Sequence, residues 1–115
     1  MDLNNLDLCA IAKRVRAGVR QLDKKIPTWR RTLRRHGQDF DFRNSDCCVL
    51  GTLGSHTKEA QRRRAATDSA FEAALAELTG RTDMDTARRY GFEQSSIGAG
   101  EYDALDALWR AEFEA

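Results

Sequence analysis

The residues of this sequence whose types could do chemistry are few: three thiols, Cys9, Cys47 and Cys48, and two imidazoles, His36 and His56. A structural or catalytic zinc recruits such ligands in pairs at short fixed spacings, because a tetrahedral ion needs side chains that converge. Neither a C-x-x-C nor an H-x-x-x-H pair occurs, and adjacent cysteines seldom reach one metal together. The thiols and imidazoles read as buried small apolar groups and polar surface rings, so neither a metal nor a cofactor is expected. Nucleophilic catalysis would rest on Cys47 or Cys48, which follow Asn44, Ser45 and Asp46, a helix-capping cluster. A helix N-terminus lowers a thiol pKa, but Val49 and Leu50 alongside point to burial. Acids line helix faces, and phosphate-loop and dinucleotide-loop patterns are absent. The sequence assigns no catalytic residue, and the expectation is a protein that is not an enzyme.

The other chemistry is electrostatic. The chain carries 19 Lys+Arg against 18 Asp+Glu, a net charge of +1, but the charges are segregated. Residues 1–64 hold 15 basic and 7 acidic residues, a balance of +8, and residues 65–115 hold 4 and 11, a balance of −7. A basic half invites a nucleic acid or an acidic partner. The alternative is that the halves fold against each other and neutralise. The basic residues concentrate in Trp29, Arg30, Arg31, Arg34 and Arg35, and again in Arg62, Arg63 and Arg64. Tryptophan and arginine are also the types that dominate protein interfaces. These eight residues form the expected partner-binding face.

Size and composition bound the scaffold. A chain of 115 residues fits one domain, and 41% hydrophobic with 32% charged residues suits amphipathic helices around a thin core. Three cysteines, two of them adjacent, make a poor disulfide framework. The N-terminus carries acids and no basic residue before residue 13, unlike a secretory leader. No apolar run approaches the roughly 20 residues that cross a bilayer. The expected setting is the cytoplasm, without a membrane partner.

The elements follow from periodicity. Leu8, Ile11, Val15, Leu22 and Ile26 form a helical stripe and predict a helix over about 6–25, stopped by Pro27. Thr28 is placed to cap a second helix carrying Trp29 and Leu33, with Gly37 as its stop. Phe40 and Phe42, alternating with Asp39 and Asp41, suggest a short extended piece. Asn44, Ser45 and Asp46 are expected to cap a buried helix over 47–54, whose Gly51 suits close packing by another helix. Ser55 or Thr57 is expected to open the longest helix, running to Thr79 with Gly80 beyond it. Thr82 and Asp85 resemble a capping box for a helix over 84–90, closed by a Schellman turn at Gly91 and Phe92. A loop over 93–100 leads to a last helix over 101–114 with Tyr102, Leu105, Leu108, Trp109 and Phe113 on one side. The fold class is therefore all-α, a compact single-domain bundle of five or six helices spanning residues 1–115.

Cys48-Val49-Leu50-Gly51, then Arg89-Tyr90-Gly91-Phe92, then Tyr102-x-x-Leu105-x-x-x-Trp109 resemble a pattern in small proteins of actinobacteria and their phages. In those proteins Cys-Val-Leu-Gly-Gln precedes a glycine-containing turn, a Gly-Phe follows about one helix later, and a Tyr…Leu…Trp helix ends the chain. The resemblance covers roughly residues 27–110. Thr52 replaces the usual glutamine, and residues 55–64 are more basic and polar than in the pattern. The family has no assigned activity, so the resemblance implies a phage or mobile-element origin and carries over no catalytic residue. The expected function is that of a phage-type accessory protein. It binds and modulates a host macromolecule, foremost a protein, through the basic helical face. Direct DNA or RNA binding through the same face is the alternative, and self-association is compatible with the polarised charge.

Overall fold

The structure is a computed structural model and describes residues 8–95 and 100–114. Among those residues there are seven α-helices, one 3₁₀ turn and no strand. They are α1 (Leu8–Lys25), α2 (Trp29–His36), α3 (Val49–His56), α4 (Lys58–Gln61), α5 (Ala70–Thr79), α6 (Met84–Arg89) and α7 (Glu101–Glu114), with the 3₁₀ turn at Arg64–Ala66. The fold is all-α, as expected.

α1 buries Ile11, Val15 and Leu22 of the expected stripe together with Gly18, and Ile26 is buried just beyond its end, whereas Leu8 is exposed. Glycine at position 18 is forced by packing. A Cβ there would lie 2.3 Å from the Tyr90 carbonyl oxygen and about 3.0 Å from the Trp109 ring. The turn it meets is a Schellman motif: Gly91 is left-handed at φ 74°, Gly91 N–H donates to Arg88 O, and Phe92 N–H donates to Ala87 O. α1 can therefore lie directly on the end of α6, with Phe92 and Trp109 beneath it. Trp109 stacks on Phe92 and meets Trp29 edge-on at 5.9 Å, and its indole donates to Gly91 O at 2.8 Å. One contiguous core runs from Ile11 to Phe113, and α7 contributes Leu105, Trp109 and Phe113 to it.

The expected long helix from residue 57 is broken into α4, the 3₁₀ turn and α5. The first stretch buries only Ala60, so no apolar stripe sustains a helix there. Thr67 and Ser69 adopt extended backbone, and Ser69 Oγ accepts from Glu72 N–H to start α5. The break turns α5 back across α3. A Cβ on Gly54 would lie 1.9 Å from Ala70 O, so the two helices meet backbone to backbone. Phe71, Ala74, Leu75 and Leu78 are buried in return, and tertiary burial outweighs helix continuity. The longest helix is α1, not this segment.

Three local expectations are corrected. Residues 38–39 and 42–43 are turns, and Phe40 and Phe42 are both buried without a partner strand. Their backbone is instead satisfied by α7: Arg110 donates to Phe40 O, and Phe42 N–H donates to Asp106 Oδ2. Asn44 folds back on Asp46 N–H, leaving Cys48 to cap α3. Asp83, not Thr82, caps α6, accepting from the Thr86 N–H. The loop expected over 93–100 falls partly outside the described residues, as do residues 6 and 7 of the expected first helix.

Candidate anion-binding groove

The eight residues expected on one partner-binding face do not share one. Trp29 is fully buried, T-stacked on Trp109, with its indole N–H donating to Asp23 at 2.8 Å. A ring with no exposed surface cannot anchor a partner, so Trp29 is a core residue. Its spacing with Leu33 was the signal, since both fall on the inner stripe of α2. Arg30 lies 4.4 Å over the Trp29 ring, pairs with Asp23 and Glu112, and donates to Glu112 O. Arg34 donates to Phe113 O at 3.0 Å. These two guanidiniums cap the carbonyl end of α7, where cations are favoured. Arg63 pairs with Glu77 at 2.8 Å, and Arg64 donates to Thr67 O. Arg64 also lines a separate hollow with Asp46 and Asp68, so the run 62–64 is not gathered onto the α2 face. Arg62 is exposed and makes no ion pair among the described residues.

Much of the charge segregation is resolved internally. Four ion pairs among the described residues join cations of the first 64 residues to acids of the second half: Arg14–Glu101, Arg30–Glu112, Arg43–Asp103 and Arg63–Glu77. Glu101 is the buried member, and Ser95 donates to it through both N–H and Oγ. Burial pushes its carboxyl up, but the hydrogen bonds from Ser95 and Arg14 prevail and hold it below the ordinary carboxylate range.

Three of the cations that make no ion pair among the described residues line one groove. Arg31 and Arg35, one turn apart on the outer face of α2, face His56 at the end of α3 and Lys58 at the start of α4. The groove has a volume of about 500 Å³ and is also lined by Thr28, Thr32, His36, Thr57 and Glu59. Arg31, Arg35 and Lys58 are exposed and make no ion pair among the described residues. Glu59 is the one acid on the lining. His36 and His56 stack ring on ring, centroids 3.8 Å apart and planes 2° from parallel. The sequence marked the arginines, but it gave no reason to bring Lys58 and the two histidines to them. The only local hint is Thr57, whose hydroxyl accepts from Ala60 N–H and so turns α4 away from α3.

The thiols form no site with these rings. Among the described residues no three His, Cys, Asp or Glu side chains gather as metal ligands. The stacked imidazoles carry their lone pairs in parallel planes and do not converge on one ion. Cys48 Sγ is spent as the α3 cap, accepting from Gly51 N–H. Burial, expected from Val49 and Leu50 alongside, pushes its thiol up to about 11 and outweighs the lowering by the helix end.

No protein-family model matches the chain, and no curated protein or solved structure matches it. The resemblance to actinobacterial and phage proteins therefore rests on its own residues. Those residues are structural: Cys48, Val49, Leu50 and Gly51 are the buried start of α3, Gly91 and Phe92 are the turn under α1, and Leu105 and Trp109 are core. No helix among the described residues is long and apolar enough to cross a membrane.

Proposed function

We propose that this protein is a binding module, without bond chemistry of its own, that docks the phosphate backbone of a nucleic acid in the α2 groove. The observation that carries the reading is the gathering of three cations without an ion pair on one groove. Arg31, Arg35 and Lys58 stay unpaired around one groove while Arg30, Arg34 and Arg63 are consumed by the fold. Phosphates are met by guanidiniums in this way, and neutralising them releases counterions. The burial of Trp29 removes the aromatic anchor on which a host-protein interface was expected to rest. Large hydrophobics exposed among the described residues are Leu8 and Met84, and neither lines the groove. The loss of Cys48 as a nucleophile likewise favours binding over catalysis.

The resemblance supplies the setting we propose for that activity, a phage-type accessory protein acting in the host cytoplasm. The test is fluorescence anisotropy with labelled oligonucleotides across a salt series. Three phosphate contacts give a slope of log K against log salt of about −2 to −3. Binding that is indifferent to salt, or to Arg31→Ala/Arg35→Ala, overturns the proposal and returns the face to a protein partner.

A further inference from the structure

The groove gathers three cations and two imidazoles against one acid. Arg31 and Arg35 approach from α2 and Lys58 from α4. The same groove is lined by the His36 and His56 rings, face to face at 3.8 Å. Two imidazoliums at that separation repel each other. Glu59 is the only lining group of opposite sign. Burial, and then the neighbouring His36, hold His56 below the ordinary imidazole range. The unliganded pair thus has room to take up a proton once a compensating anion arrives.

A phosphate monoester is the anion that matches. It carries nearly two negative charges at neutral pH and three acceptor oxygens, whereas a diester carries one charge. Arg31 and Arg35 sit at i and i+4, so their guanidiniums project from one face of α2 toward a group lying in the groove. We propose that the groove is a site for a phosphate monoester dianion, gripped by Arg31, Arg35 and Lys58 and completed by one proton taken up on the His36–His56 pair. The inference rests on the reading of the groove as a phosphate-binding surface and narrows it from backbone to terminal phosphate. Two sources carry that chemistry: the phosphorylated end of a nucleic-acid strand, and a free small phosphate.

The test follows the imidazole C2–H resonances by proton NMR across pH, in chloride and in inorganic phosphate at equal ionic strength. Phosphate in the groove raises the His56 midpoint by about one unit. By linkage, one unit corresponds to about a tenfold gain in affinity between pH values above and below both midpoints. His36→Gln/His56→Gln removes the part of the pH dependence that comes from the imidazoles and leaves that of the phosphate's own second ionisation, with the residual binding due to the cations. Identical midpoints in the two salts overturn the proposal. A second arm compares oligonucleotides with a 5′-phosphate and a 5′-hydroxyl between pH 6.5 and 8. A several-fold preference for the phosphorylated end that shrinks with rising pH assigns the ligand to nucleic-acid ends. Imidazole shifts with no such preference assign it to a small phosphate. Oligonucleotide binding that depends on Arg31 and Arg35 while both imidazoles stay unmoved defeats the terminal-phosphate site alone. Arg31→Ala/Arg35→Ala without effect on oligonucleotides defeats the backbone reading instead.

Discussion

Replacing Trp29 with alanine separates a core anchor from an interface anchor. The indole has no exposed surface, meets Trp109 edge-on at 5.9 Å, carries the Arg30 guanidinium 4.4 Å above it and donates to Asp23. Removing it leaves a cavity between α2 and α7 that the backbone of neither helix can close. Buried tryptophan-to-alanine changes cost about 3–5 kcal/mol. For a chain of this length that is a fall in Tm of roughly 12–20 °C. Trp29→Phe keeps most of the ring and loses the bond to Asp23, which is half-exposed, so its cost is about 1–2 kcal/mol. Urea and thermal unfolding followed by far-UV circular dichroism read both values. If Trp29→Ala stays within about 1 kcal/mol of the parent while losing its partner, Trp29 is a surface contact and not a core residue packed on Trp109.

Gly54→Ala places a methyl group 1.9 Å from Ala70 O, so it destabilises by about 2 kcal/mol or more in the same unfolding assay, whereas Gly80→Ala meets no neighbour and pays only for its left-handed backbone. Hydrogen bonds from Arg81 and Thr86 hold the Asp83 carboxyl at about 2, below its ordinary 3.8. Because the folded value is the lower one, its stabilisation of α6 is complete above about pH 4 and fades as pH falls toward 2. Amide shifts of Thr86 and Ala87 report that loss, and Asp83→Asn abolishes the transition. Alkylation at pH 8 modifies the exposed Cys9 rapidly and Cys48 only on unfolding, since the Cys48 thiol titrates near 11. Peptide mass mapping at short times distinguishes them, and fast labelling of Cys48 in the folded protein contradicts its role as the α3 cap.

The elements legible in the sequence are those whose signals are local. The stripe of α1, the pair Trp29 and Leu33 on α2, the turn at Gly91 and Phe92, and the face of α7 all appear where periodicity and turn residues place them. The break between α4 and α5 was not legible, because it is decided by Gly54 meeting Ala70, a contact between separate helices. The caps at Cys48 and Asp83 were missed because neighbouring residues of better capping type, Asn44 to Asp46 and Thr82, point elsewhere. The candidate site was legible in composition only. Arg30, Arg31, Arg34 and Arg35 are indistinguishable in sequence. The helical phase of α2 and the carbonyl end of α7 sort them, consuming Arg30 and Arg34 and leaving Arg31 and Arg35 for the groove. His36 and His56 are twenty residues apart and meet only because α2 and α3 end side by side.

The measurement that bears most directly on the groove is the affinity of the intact protein for a labelled oligonucleotide between about 50 and 200 mM salt, beside Arg31→Ala/Arg35→Ala and Arg30→Ala/Arg34→Ala. The groove account predicts a slope of about −2 to −3 that falls by about 1.5–2 in the first double variant. It predicts no change of slope in the second, whose residues are held by α7, and some loss of stability there instead. Equal loss of slope in both variants, or none in either, contradicts the assignment of the groove as the binding surface.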